Sequence, residues 1–343
     1  MKRYFIIIFS IIFLSAVAFL AGIFVAEKKI EKTSKKVTEN IPKEQGKKAE
    51  ENNNNNIEIV GGNIEEKASL ETDTESEVKF SFAILGDTQY FKAGTNGGYQ
   101  QAVSSIKKMD PNLIFSVGDL ASCDGGSECD TKYNNWKNVL GSFSSKAYMT
   151  QGNHDRIGEE KADSSWQKVF NLPTNGPSGF SELVYSFDWE NSHFVVLDSD
   201  KPKESNINGT QLDWLEGDLA KNKKENIFVF FHEPAYPTNS KIGESLDVNA
   251  KDRDRLWNIL TSHKITAVFS GHEHIQSRRK VNGLYQFVFG NTDSFNHLTP
   301  KSGTAEYSYI GQAFGMVEIS GKEITVKTYS IQGKLLNSFV LAK

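Results

Sequence analysis

Phe80-Ser81-Phe82-Ala83-Ile84-Leu85-Gly86-Asp87-Thr88-Gln89 is an apolar run that stops at a glycine and then presents a carboxylate and an amide. The run predicts a β-strand over residues 78–85. Polar groups at the carboxyl end of such a strand stand where α/β folds build their sites. The same arrangement recurs along the chain. Gly118-Asp119 follows an apolar strand at 112–117, and Gly152-Asn153-His154-Asp155 follows the short run 147–150. Phe231-His232 ends a strand at 227–231, and Gly271-His272-Glu273-His274 follows one at 265–270.

Further strands are expected at 184–187 and 193–197. Helical periodicity covers 98–109, ending at Asp110-Pro111, and 251–262. Thr210-x-x-Asp213 resembles a capping box that opens a helix with Leu212, Leu215 and Leu219 on one face. After His274 the pattern is β only. Asn282-Gly283 is a tight-hairpin signal, and 314–319, 324–329 and 335–341 form an expected meander. Alternating β and α followed by an antiparallel tail predicts a sandwich of two sheets flanked by helices.

Upstream of the expected folded domain, 78–343, the composition changes twice. Residues 4–26 are apolar and uncharged after Lys2-Arg3, long enough to span a bilayer as a helix. A cleavable signal with Ala16-Val17-Ala18 as its processing site is the competing reading, leading to a secreted protein. The segment 1–26 is read as an anchor. Residues 27–77 are rich in Lys, Glu, Asn, Ser and Thr, with an asparagine tract at 52–56, and read as a disordered linker.

Lys28, Lys29, Lys32, Lys35 and Lys36 favour a cytoplasmic face for the downstream chain. The cysteine pair favours the outer face, which is the orientation preferred here. The two cysteines, Cys123 and Cys129, have disulfide-loop spacing; two thiolates alone would not fill a tetrahedral metal site. A net charge of −4 in 343 residues gives no basic field for nucleic acid.

The five blocks supply oxygen and imidazole donors of the kind that two hard divalent cations need. The glycines before the ligands are expected to let the backbone turn sharply. His272 and His274, two apart in an extended segment, would point the same way. Taken singly, Asp119 would only cap a turn and His232 would be a core histidine.

The ordered set resembles the calcineurin-like metallophosphoesterase superfamily, with its Asp-x-His, Gly-Asp, Gly-Asn-His-Asp/Glu, His and Gly-His-x-His blocks. That resemblance implies a four-layer α/β/β/α sandwich of two mixed sheets and a hydrolase for phosphoric monoesters or diesters. It also implies two divalent metal ions (Mn, Mg, Fe or Zn) holding an attacking hydroxide. Asp87 and His274 would bind the first ion, Asn153, His232 and His272 the second, and Asp119 would bridge. His154 would protonate the leaving oxygen, with Asp155 orienting its ring.

Gln89 departs from the family's usual histidine and implies a weaker, oxygen-preferring first site or contact through water. Ser122 stands where iron-dependent purple acid phosphatases have a tyrosine, which argues against that coloured class. Small-molecule or lipid-headgroup phosphoesters are the implied substrates. The contrasting reading, motivated by Gln89 and by the long stalk that displays the domain, is a membrane-tethered binding or scaffold protein with a partly filled metal site.

His193 and His263 read as structural, as do Trp214 and Trp257. His297 is a candidate substrate contact, and the loop 123–129 with Glu233-Pro234-Ala235-Tyr236 would form the pocket rim. Asn208-Gly209-Thr210 fits a glycosylation acceptor.

Overall fold

The computed structural model describes residues 78–123, 128–156, 160–294, 299–301 and 303–341. The expected anchor, the linker and His297 lie outside the described residues. Among the described residues no helix is long and apolar enough to cross a membrane.

Among the described residues thirteen strands form two mixed sheets. In the first, β1 (Lys79–Leu85) lies between β2 (Leu113–Ser116) and β11 (Ala313–Ser320). β3 (Ala147–Met149) extends the β2 side, and β12 (Glu323–Ser330) and β13 (Leu335–Leu341) extend the other. β1, β2 and β3 run parallel, while β11 pairs antiparallel to β1 with Phe82 opposite Val317.

The second sheet has the order β10-β8-β9-β7-β6-β5-β4. Its parallel centre is β5 (Ser192–Val196), β6 (Asn226–Phe230), β7 (Ala267–Ser270) and β9 (Leu284–Phe289). β4 (Tyr185–Trp189), β8 (Gln276–Val281) and β10 (Tyr307–Tyr309) pair antiparallel at its flanks.

Strands buried on both faces are apolar throughout, which is why they are readable as continuous runs. The sheets face one another across an aromatic seam. Phe82 of β1 meets Phe194, Phe228 and Phe269 edge-on at 5.5, 5.1 and 6.0 Å, and Phe115 of β2 stacks on Phe230 at 4.1 Å. Edge-to-face and offset ring pairs are favoured by the ring quadrupole and bury large areas.

Helices connect the strands: α1 (Gly98–Met109), α2 (Cys129–Leu140), α3 (Glu160–Val169), α4 (Gly209–Leu219) and α5 (Ala250–Ser262). α4 opens earlier than the expected capping box. The Asn208 side chain accepts from Thr210 N at 3.2 Å, so Asn208 is the cap and Thr210 is already helical. The hairpin between β8 and β9 has Asn282 and Gly283 at φ 49° and 86°, the left-handed pair that its sequence signals. Cys123 and Cys129 are joined as a disulfide with Cα atoms 5.3 Å apart.

Candidate metal centre

Because β1, β2, β3, β6 and β7 each run toward the same end of the sandwich, their carboxyl ends gather the five polar blocks in one place. Asp87 and Asp119 are essentially fully buried, and His232, His272 and His274 are buried with them. The turns that deliver them are tight. Asp87, Asp119, His272 and His274 have φ of 53°, 53°, 67° and 51°, a left-handed conformation uncommon for such residues and typical of over-determined functional sites.

This corrects two expectations. Gly118, at φ 94°, makes the expected glycine turn, but elsewhere the ligands themselves carry it and the glycines are needed for space: a Cβ at Gly152 would lie 2.3 Å from Asp119 Oδ1, and one at Gly271 would lie 2.6 Å from Asp87 Oδ2. His272 and His274 also do not share a direction by strand alternation, because both sit past the end of β7 on left-handed backbone.

The two histidines face opposite ends of the cluster. His274 Nε2 lies 3.3 Å from Asp87 Oδ1 and 3.4 Å from the Gln89 amide nitrogen. His272 Nδ1 lies 3.1 Å from Asn153 Oδ1, which is also 3.1 Å from His232 Nε2. Asp119 stands between the ends, with Oδ2 accepting from Gln89 at 3.2 Å and Oδ1 3.5 Å from His232 Nε2. Ligand atoms of Asp87, Asp119 and His274 all lie within 4.8 Å of one another.

The imidazoles are pre-set for binding. His232 Nδ1 is 2.7 Å from the Val117 carbonyl and His272 Nε2 is 2.9 Å from the Glu244 carbonyl. A carbonyl only accepts, so each of these nitrogens carries a proton, and the opposite nitrogen is the one left to offer a lone pair to a cation. Burial, reinforced by the nearby His232, holds His272 well below the usual imidazole range. For His232 burial opposes protonation, but Asp119 and Asp87 outweigh it and raise its proton affinity. Burial also raises Asp87. Among the described residues no lysine or arginine forms an ion pair with Asp87 or Asp119, whose charged neighbours are His232 and His274. The Gln89 Oε1 atom is buried without a hydrogen-bond partner, as is His274 Nδ1. Unsatisfied polar atoms of this kind converging around buried carboxylates fit bound cations.

His154 and Asp155 occupy the short 3-10 turn Asn153–Asp155 after β3. The His154 backbone N–H donates to Asp119 Oδ1 at 2.9 Å, and its ring is partly buried 6.4 Å from the Tyr90 ring. Asp155 does not orient that ring. Its oxygens accept from the backbone of Leu120, Ala121 and Gly152 at 3.1, 3.1 and 3.0 Å, and His154 Nδ1 has no hydrogen-bond partner. Asp155 therefore staples the Asp119 loop to the Asn153 turn. Burial and the neighbouring Asp119 push it up to about 7 despite those three N–H bonds.

Supporting residues missed from sequence brace the first and last blocks. Thr292 Oγ1 accepts from Gly86 N at 3.2 Å, and Asp293 N donates to Asp87 O at 3.2 Å. Gly290-Asn291-Thr292-Asp293 follows β9 and is a sixth glycine-led polar block, so the same signal could have found it. Glu273, enclosed between the two histidines, accepts from Asn239 N at 3.0 Å and from the Thr238 backbone and hydroxyl. It anchors the loop whose Glu244 carbonyl holds His272. Trp136 Nε1 donates to Thr88 Oγ1 at 2.9 Å and fixes the first block from behind. His193 bonds Asp188 and Asp218 away from the cluster, as its structural reading expected.

Known proteins share this arrangement. The family described as calcineurin-like phosphoesterase matches residues 80–276, more than half of the chain. Purple acid phosphatase 21 of Arabidopsis thaliana is 29% identical over 214 residues, covering 60% of this chain and 46% of that protein. The chain thus spans just under half the length of that plant relative. Tartrate-resistant acid phosphatase type 5 of Sus scrofa is 24% identical over 272 residues, covering 68% and 76% of the two chains. The solved purple acid phosphatase PPD1 from yellow lupin seeds superposes with a TM-score of 0.66 at 16% identity, over 77% of this chain and 54% of that one, a likeness of fold. Kinship therefore reaches the purple acid phosphatases even though Ser122 lacks their tyrosine.

Proposed function

The chain belongs to the calcineurin-like phosphoesterase family, and from that premise we propose that it hydrolyses phosphoric monoesters or diesters at two divalent cations. The observation that carries this is the meeting of Asp87, Asp119 and His274 at one end of a buried cluster with Asn153, His232 and His272 at the other. In this reading Asp87, Gln89 and His274 would hold the first ion, the second trio would hold the other, and Asp119 would serve both. Gln89 would join through Oε1 if its amide turned over, which would also give that buried oxygen a partner. Bound there, the ions would supply a nucleophile active near neutrality and neutralise phosphoryl charge.

The chain's own side chains do the rest. His154 lies at the cluster's rim, where its ring can hand a proton to the departing alcohol oxygen. Tyr90 walls the same side. Asp155, through the backbone of residues 120, 121 and 152, keeps Asp119 and Asn153 in register. The family reading also takes α1–α5 as the outer layers of a four-layer α/β/β/α order.

Oxygen-preferring ions such as Mn or Mg suit the glutamine. Residues 1–26 are taken as an anchor and 27–77 as a linker that presents the domain on the extracytoplasmic side, supported by the Cys123–Cys129 disulfide. Small-molecule and lipid-headgroup phosphoesters are then within reach, and external protease on intact cells should remove the domain. Turnover of chromogenic mono- and diesters with added Mn, set against His272→Ala, tests the activity. Equal rates for both proteins across the panel would refute it. The scaffold reading rests on Gln89 and on the long segment 27–77 that would display the domain, and requires that neither protein turns over any ester.

A further inference from the structure

A second carboxylate cluster lies beyond His232 and is not used by the chemistry above. Asp200, Glu204 and Glu233 each offer an oxygen, and these three atoms lie within 4.8 Å of one another. Glu233 is fully buried and Asp200 is 4% exposed, while Glu204 reaches solvent. What distinguishes this cluster from a solvated acidic patch is the state of its oxygens. Both oxygens of Glu233 and Oδ1 of Asp200 are buried without a hydrogen bond of good geometry, with the Ser205 and Asp200 side chains the nearest hydrogen-bonding groups to Glu233. Asp200 Oδ2 takes the Ser199 hydroxyl at 2.7 Å.

No ion pair reaches Asp200, Glu204 or Glu233 among the described residues. The basic residues Lys201 and Arg156 are already engaged, since both bond Asp163 at 2.8 Å. Two buried carboxylates in contact are strongly disfavoured as a pair of anions, so either a proton held between them or a bound cation must offset their repulsion.

We propose that Asp200, Glu204 and Glu233 form a binding site for calcium, separate from the catalytic cluster. The donor set is oxygen only, without imidazole or thiolate, which selects a hard cation. Calcium–oxygen distances of about 2.3–2.6 Å let two oxygens on one ion stand up to about 5 Å apart, so the observed spread fits calcium more comfortably than magnesium. Exposed Glu204 provides the entry side. The ion would tie the 199–206 loop, closed by the bond from Asn206 N to Ser199 O at 2.8 Å, to the end of β6 where His232 begins. It would thereby act as a structural staple behind one side of the metal centre.

Calcium titrated calorimetrically into the purified full chain, loaded with Mn and then freed of the excess, tests this. One calcium per chain and a rise in Tm are expected. Glu204→Gln, a surface substitution that the fold should tolerate, should weaken binding by about tenfold or more on the scale of lost metal-site partners. Asp200→Asn should abolish it. Calcium binding should persist in His272→Ala, which separates this site from the catalytic reading. Absence of calcium binding, or binding unchanged in Glu204→Gln, would overturn the proposal whether or not the chain hydrolyses esters.

Discussion

Gly152→Ala isolates the packing of the site from every other variable. Gly152 has φ −117°, a conformation open to alanine, so the substitution adds a methyl without backbone strain. That methyl would lie 2.3 Å from Asp119 Oδ1, 2.5 Å from Asp119 N and 2.9 Å from His232 Cδ2. Ordinary contact begins near 3.4 Å, so Asp119 or the Asn153 turn must retreat by about 1 Å. The neighbours that must yield are a buried carboxylate and backbone, not the free end of a flexible chain. A displacement of about 1 Å at a reacting centre costs on the order of 100-fold in rate, and overpacking of this kind costs about 1–3 kcal/mol in stability. The assay is kcat/KM on an aryl phosphate with saturating Mn, alongside urea denaturation. Activity within about threefold of the parent, together with unchanged stability, would refute the close approach on which the site's geometry depends.

Gly217 is the contrasting case. It is exposed inside α4, and an added methyl there would meet nothing within 4 Å, so Gly217→Ala should raise stability by about 0.5–1 kcal/mol with activity unchanged, read by denaturation. His193 makes a pH prediction. Burial disfavours its charged ring, but Asp218 and Asp188 outweigh burial and raise its proton affinity above the usual imidazole value. Its stabilising contribution is therefore complete below the unfolded value of 6.5 and lost as pH rises through the raised folded value. The stability gap between the parent and His193→Gln should shrink between mildly acid and alkaline pH; a gap that widens would contradict the pairing. Gln89→His should lower the Mn concentration for half-maximal activity by about tenfold, and an unchanged requirement would remove residue 89 from the metal environment.

The strands were legible because those buried on both faces, such as residues 112–117 and 227–231, are apolar almost without interruption. Their neighbours were not legible. That β11 lies beside β1 is a long-range pairing, and no local pattern announces it. α2 was missed although its buried residues Cys129, Tyr133, Trp136 and Leu140 recur at helical spacing, because lysine and asparagine dominate the exposed remainder. At the site, residue identity was readable from the blocks, while hydrogen-bond destinations were not. Asp155 adjoins His154 in sequence yet serves the Leu120, Ala121 and Gly152 backbone. The groups that hold His232 and His272 in their tautomers are backbone carbonyls, which leave no trace in side-chain chemistry.

Elemental analysis of Mn bound to the purified chain bears most directly on whether the site is a two-cation centre. Using Asp200→Asn protein removes the carboxylate pocket beside Glu233 from the count. Two Mn ions per chain are predicted, falling when Asp119 is replaced by alanine because it serves both sites. One ion or none, or two that survive Asp119→Ala undiminished, would contradict a two-cation centre bridged by Asp119.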